Sequence, residues 1–469
     1  MEANLRSRPG VAVVHGDVSR YVESISRKRP MITTLRIRNF KSFVNESVSL
    51  SPFTMIIGGN GAGKSNFFDA LRFLKSIGEN RPIRDAIEGH APPGAITPTI
   101  SGIRGGGANA THFLADKPNF LMEVEVQLED PDETIFYMIE VDAQRHRVVN
   151  EHLSSSAHPG QYVFSTQPET GPLENNPDAP SIAARFHKNS PGLNPKREFS
   201  PNDFILSQFV SRRAESRQNE EVADRLRTEL ASISPLELQP DVLRRYAPIG
   251  RFEMGEHGEN FAAAVWKLNY DAETPRFYLD GNNEAGHEYE YDEDAISRRD
   301  AVLAWLNQVT PRPITALEAE ASPTNEVVVT VHEEPYRQPI AAPSLSDGTL
   351  RFAALALASV GQRGRRTLLI EEVENGINPS RIALLVSMLE QVTASDSNVQ
   401  VFASTHSPSI LDYLDHDAAV RSVVIGWNPA TSSSQVRRLG DLPGLKEATK
   451  GARLGDLQEE GWLQEAAGL

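Results

Sequence analysis

The chain has 469 residues, 39% of them hydrophobic, enough for a large core in about two or three lobes, and no uninterrupted apolar run approaches membrane-spanning length. It contains no cysteine, which excludes disulfides, thiolate metal sites and a zinc-hook dimerisation motif. Lys plus Arg number 47 against 63 Asp plus Glu, and the net charge of -16 argues against a broadly basic nucleic-acid face, leaving only a local patch open.

Residues 1–30 are polar and mildly basic, without a sustained period, and read as an extension. They lack the apolar core of a secretory signal, so a cytoplasmic location is expected, and Met31, where patterned sequence begins, reads as the native start. From there Leu35 and Ile37 alternate with polar positions as in a half-buried strand. Met55, Ile56 and Ile57 run straight into Gly58-x-x-x-x-Gly63-Lys64-Ser65, and Phe67, Leu71 and Leu74 then recur on one helical face. This is strand, glycine loop, helix. Such a loop, with Asn60, Gly61, Gly63 and the flanking Asn66, turns backbone N–H groups inward around a phosphate at a helix N-terminus. Lys64 reaches the outer phosphates and the Ser65 hydroxyl can hold Mg2+. A merely flexible glycine turn is the alternative; the strand and helix around the loop favour a nucleoside triphosphate.

The Gly- and Pro-rich passage from Ala91 to Ala110 reads as a loop. Phe120, Met122, Val124, Val126 and Leu128, then Ile135, Tyr137, Ile139 and Val141 after a turn at Pro131-Asp132-Glu133, predict an antiparallel meander, with Val148–Val149 and Tyr162–Phe164 as candidate further strands. Ser165 to Asp203, dense in Pro, Asn and Ser, reads as a long insertion loop. Helices are expected over Gln218–Leu230, Glu259–Leu268 and Glu293–Val309, a helical lobe without the heptads of an extended coiled coil. Strand returns at Glu326–His332, and from Leu345 the pattern becomes helix, strand, helix, strand, the signature of a parallel sheet. The boundaries so drawn are 1–30, extension; 31–165, first half of the core with the meander; 166–325, loop and helical lobe; 326–469, second half of the core.

Four further features carry chemistry. Thr367–Ile370 is a short buried-strand run ending in Glu371-Glu372, where one acid can hold Mg2+ and its water shell and the other polarise an attacking water. Alone, the pair could be a solvated strand end. Ser346-Asp-Gly348-Thr349 opens an Ala/Leu-rich helix and makes either an anion site or an ordinary cap. His406 follows the strand Val399–Ser404 in Thr405-His-Ser-Pro408, and Glu374-Asn-Gly-Ile-Asn-Pro379 joins the acids to the next helix.

In this order the motifs resemble the ABC-type ATPases, and in wording the RecF-like and OLD-like branch of AAA-family ATPases: Asn39–Phe43 (N-F-K-S-F), Ser346–Thr349 (S-D-G-T), Glu371–Gly376 (E-E-x-E-N-G) and Thr405–Pro408 (T-H-S-P), supported by Gly258-Glu-Asn260 and Leu454-Gly-Asp-Leu457. The resemblance implies an α/β fold: a P-loop ABC-type ATPase core with a mixed sheet, an antiparallel β-meander subdomain and an inserted helical lobe. It implies ATP and Mg2+ as cofactors and a head-to-tail homodimer in which ATP on Gly58–Ser65 of one copy is capped by Ser346 and Gly348 of the other. Glu372 would be general base or water orienter, His406 a γ-phosphate sensor alongside Lys64, and Ser65 with Glu371 the Mg2+ ligands. Glu371 stands where Asp is more usual and Val373 where Pro is common; the glutamine that couples the helical lobe to Mg2+ is best matched by Gln208.

Two uses follow from the resemblance. One is a nucleotide-gated switch in anti-phage defence or DNA maintenance; the other is a scaffold or regulatory subunit that depends on nucleotide binding rather than turnover. Only 63 residues follow His406, too few for the TOPRIM nuclease domain some relatives carry, so a separate TOPRIM-like effector protein is expected and no intrinsic nuclease. Arg212, Arg213, Arg217, Arg225 and Arg227 form the most basic cluster, a DNA-contact candidate or a solvated helix flank. No membrane partner is expected.

Overall fold

A computed structural model describes residues 31–90, 101–128, 133–157, 160–169, 171–188, 190–210, 217–277, 289–394 and 398–469. The extension at 1–30, the first half of the Ala91–Ala110 loop, the turn at Pro131-Asp132, and Arg212 and Arg213 lie outside them. In chain order, the hairpin β1 (Met31–Phe40) and β2 (Phe43–Ser49) precedes β3 (Phe53–Ile57), the glycine loop, α1 (Lys64–Gly78) and α2 (Ile83–Glu88). The meander follows as β4 (Asn119–Gln127), β5 (Thr134–Asp142), β6 (Arg147–Ser155), β7 (Tyr162–Ser165), β8 (Ile182–Phe186) and β9 (Lys196–Phe199). Next come α3 (Ile205–Val210), α4 (Arg217–Ala231), β10 (Ile233–Leu236), α5 (Pro240–Leu243), β11 (Ala247–Pro248), α6 (Phe261–Glu273), the short pair β12 (Arg276–Phe277) and β13 (Tyr289–Glu290), and α7 (Glu293–Val309). The last third runs β14 (Ile314–Ala321), β15 (Glu326–Glu333), β16 (Ile340–Ala341), α8 (Asp347–Ala356), β17 (Arg366–Ile370), α9 (Ile382–Val392), β18 (Val399–Thr405), β19 (Val423–Asn428) and β20 (Ser433–Arg438), ending in short helices.

Two sheets organise these elements. One has eight strands in the order β2-β1-β4-β5-β6-β7-β8-β9, each pair antiparallel. The other has six in the order β10-β17-β18-β3-β19-β20, parallel except for the last pair. This mixed sheet with helices on its faces is the α/β architecture expected of the nucleotide core. Its inner strands β3 and β17 are nearly continuous apolar runs because both faces are covered: on β3 Ile56 enters the core shared with the meander and α1, while Met55 and Ile57 enter the core under α6, α8 and α9. Among the described residues no helix is long and apolar enough to cross a membrane.

The expected insertion loop at Ser165–Asp203 instead supplies β8 and β9 to the meander. Ile182, Ala184, Phe186 and Phe199 turn inward, and the polar residues that mask the pattern tie the connections: the Asn175 side chain pairs with both the N–H and C=O of Ala183, and Arg185 donates to the carbonyls of Gly171 and Asn194. The stretch expected to be a helical lobe likewise holds β10, an edge strand that tolerates Pro235 because its outer side needs no donor, and β11 and β14, which pair with β15, the strand expected at Glu326–His332. Gln400 on β18 joins the two main sheets. Its amide accepts from Ile32 N at 3.1 Å and donates to Ile32 O at 2.8 Å and Ser51 O at 3.1 Å, completing backbone pairs that β1 would otherwise leave open.

Candidate nucleotide site

The site forms where the parallel strands end. β3 delivers the glycine loop onto α1, with Asn60 and Gly61 exposed at its tip and Gly63, φ 110°, entering the helix. Close packing dictates the glycines here: a Cβ on Gly58 would lie 2.3 Å from Ile425 O, and one on Gly63 2.4 Å from the Ser434 hydroxyl. Ser42 in the β1–β2 turn accepts from Asn66 Nδ2 at 2.8 Å and lies 2.7 Å from Ser434 Oγ, which is itself 2.6 Å from Ala62 O. The loop is therefore braced from two separate hairpins.

Lys64 is 5% exposed, and its ammonium donates to the carbonyls of Gly58 at 2.6 Å and Gly59 at 2.9 Å. Burial lowers its pKa to about 8 despite Glu372, Glu374 and Glu371 nearby. It also stands 3.2 Å from His406 Nδ1. An ammonium only donates, so Nδ1 accepts and the ring proton sits on Nε2, aimed at Glu372 Oε1 3.2 Å away. Glu372 adopts a left-handed φ of 49°, held by its N–H donating to Ser404 Oγ at 3.0 Å, and the backbone N–H groups of His406 and Ser407 donate to Glu374 Oε1 at 2.9 and 3.0 Å. The acids after β17 and the histidine after β18 are thus fixed to each other.

Glu371 accepts from Ser65 Oγ at 3.0 Å, bringing together the hydroxyl and carboxylate expected to share a metal. It also receives Arg72 at 2.7 Å and Arg104 at 3.0 Å; burial alone would raise its pKa, but these two guanidinium charges hold it below the usual value. Arg104 further donates to Ser65 O at 2.9 Å and to buried Asp69 at 2.8 Å, and Arg72 pairs with Glu256 at 2.7 Å. Sequence reasoning missed Arg72, Arg104, Asp69 and Glu256. Asp69 and Arg72, charged residues three apart among Phe68, Ala70, Leu71 and Phe73, were the available signal; Arg104 had none. Oxygen donors of this kind suit a hard divalent cation, and among the described residues no group of three or more His, Cys, Asp or Glu is arranged to hold one.

Gln208, expected beside Ser65 and Glu371, is not brought there. Its amide accepts from Ser200 N at 3.0 Å and donates to Ser200 O at 2.9 Å and Asp203 O at 3.1 Å, spending its polarity on the turn before α3. Ser346 is the exposed N-cap of α8, accepting from Thr349 N at 3.2 Å, and a Cβ on Gly348 would lie 3.0 Å from Gly376 O. The helix tip therefore faces outward beside the Glu374–Gly376 turn. Of the basic cluster, Arg217, Arg225 and Arg227 pair with Glu221, Glu133 and Asp224 respectively.

Stretches of 52 and 49 residues are 48% identical to the chromosome partition protein Smc of Cereibacter sphaeroides and 45% identical to urease accessory protein 2 of Cryptococcus neoformans var. grubii. They cover 11% and 10% of this chain and only 4% of each relative. Among solved structures, an Smc head bound to the C-terminal winged-helix domain of ScpA matches 87% of this chain and 97% of its own at TM-score 0.45, and the Thermotoga maritima SMC head domain 87% and 98% at 0.38, both 12% identical. The family model described as "AAA domain, putative AbiEii toxin, Type IV TA system" matches residues 53–412, from β3 to just past His406, and the chain belongs to this AAA-domain family.

Proposed function

We propose that the chain is an ABC-type ATPase that binds ATP and hydrolyses it in a head-to-tail dimer, acting as a nucleotide-gated switch. The observation that carries this reading is one contact line, Lys64 to His406 to Glu372, alongside the Ser65–Glu371 pair, joining residues 342 and 306 positions apart in sequence. Gly58–Ser65 would cradle the phosphates with Asn66, and Ser65 and Glu371 would hold Mg2+, which when bound neutralises phosphate charge. Arg104, 47% exposed, would be the group to give way if a cation were held there, since a guanidinium and a metal compete for the same oxygens. Glu372 orients and deprotonates the attacking water, and His406, its Nε2 proton already directed at Glu372, turns to the γ-phosphate. Ser346 and Gly348 on the exposed tip of α8 suit a role on the partner copy's nucleotide, because their contacts within the chain are not with the glycine loop.

The biological output proposed is anti-phage defence or DNA maintenance, exerted in the cytoplasm through a separate effector of TOPRIM-like nuclease type. The membership of a family whose description names a toxin–antitoxin system supports a defence setting. The test compares the wild type with Glu372→Gln. Turnover is expected to fall about 100-fold or more while ATP binding persists and a dimer accumulates in ATP plus Mg2+. Unchanged turnover overturns the assignment; lost turnover with intact biological output favours the scaffold role.

A further inference from the structure

The triphosphate reading leaves the base of the nucleotide without a place. Sheet order supplies a direction: Glu371, Glu372 and His406 follow β17 and β18 on one side of β3, while β19 and β20 lie on the other. A nucleotide with its terminal phosphate toward His406 extends its sugar and base toward β19 and β20. There Trp427 pairs across the strands with Ser434, and directly opposed residues of an antiparallel pair share a face. Since Ser434 Oγ is 2.6 Å from Ala62 O, Trp427 sits directly across the strands from a residue that braces the glycine loop. Phe113 lies against it, the rings inclined by only 23° with centroids 6.4 Å apart.

Both rings face water: Phe113 is 66% exposed and Trp427 39%. Lone exposed hydrophobic residues are ordinary, but this one is held out by a braced turn. Thr111 bridges to Phe40, Lys41 N donates to Ala110 O at 3.0 Å, and His112 N donates to Asn39 O at 3.3 Å. The His112 ring, 4% exposed, accepts from Leu114 N at Nδ1 and so directs its Nε2 proton to Ser432 O, 3.0 Å away. A turn pinned from both ends, presenting a planar apolar ring parallel to an indole on a hairpin that braces the glycine loop, is a platform for another planar ring.

We propose that Phe113 and Trp427 form the base-stacking surface of the nucleotide site, taking the purine of a nucleoside triphosphate; this rests on the glycine loop binding phosphate. Calorimetric titration of the full chain with ATP and with inorganic tripolyphosphate, both with Mg2+, tests it in the wild type, Phe113→Ala and Phe113→Trp. The alanine variant, altered only at an exposed side chain, is expected to bind ATP about tenfold more weakly with tripolyphosphate affinity unchanged, and the tryptophan variant to restore ATP affinity. Equal losses for both ligands, or no loss for either, overturn the stacking role while leaving the phosphate site standing. A wild type that binds neither ligand overturns the phosphate site and the stacking surface together.

Discussion

Gly63 sits where three demands meet: a left-handed φ of 110°, a hydroxyl 2.4 Å from where a Cβ would be, and the start of α1. Gly63→Ala therefore forces Ser434 and the loop apart. A loss of about 1–3 kcal/mol in unfolding stability is expected from denaturant titration, with ATP binding abolished. The glycine, lysine and serine positions were legible in sequence because phosphate cradling needs those residue types at that spacing. The charges around Glu371 were not, since Arg72, Arg104 and Glu256 converge from three distant segments and carry no shared local pattern. Gln208 misled for the converse reason: its place in the chain suited the role, but its amide is used within its own turn.

Among the elements, α8 tests the dimer. Ser346→Ala removes the cap bond to Thr349 N and should cost about 1 kcal/mol in thermal unfolding. Ser346→Arg, at an exposed tip, should leave ATP binding by the single copy intact yet abolish the ATP-dependent dimer in mass measurement; a dimer that persists overturns the head-to-tail arrangement. Docking of α3 gives a pH dependence. The N–H groups of Ile205 and Leu206 donate to buried Glu151 at 2.7 and 2.8 Å, yet burial outweighs these bonds and raises its carboxyl to about 7, as it does for Glu229 on α4. The folded chain thus holds protons that the unfolded chain releases above its ordinary value of 4.5, so this contribution to stability is full below pH 4.5 and is lost as pH rises through about 7. Melting scans from pH 5 to 8 should show the decline, at most about 1.4 kcal/mol per pH unit for each group, and a shallower one in Glu151→Gln. Helices α4, α6 and α7 were legible from their period; β8, β9 and β10 were not, because strands of four or five residues among Pro and Asn leave too few turns of alternation to read.

At the scale of the molecule, the two sheets share α1 as a common filling, and Gln400 stitches them where no strand could. Gln400→Leu keeps the volume but leaves the N–H and C=O of Ile32 buried without partners, so a loss of about 2–3 kcal/mol is expected, with chemical denaturation as the measure. The order of motifs leads to an expectation of a core split between the two ends of the chain, and β3 does share a sheet with β17 to β20, whereas the eight-stranded neighbour depends on pairings remote in sequence. The hairpin of β19 and β20 has a further consequence. Ile425 and Ser434 lie past residue 412, where the family match ends, yet they form the floor on which Gly58 and Gly63 rest. A fragment trimmed to the matched segment keeps the glycine loop, Ser346–Thr349, the acidic pair and His406 and loses the support beneath the cradle, so recognisable motifs and a working cradle are separable properties of this polypeptide.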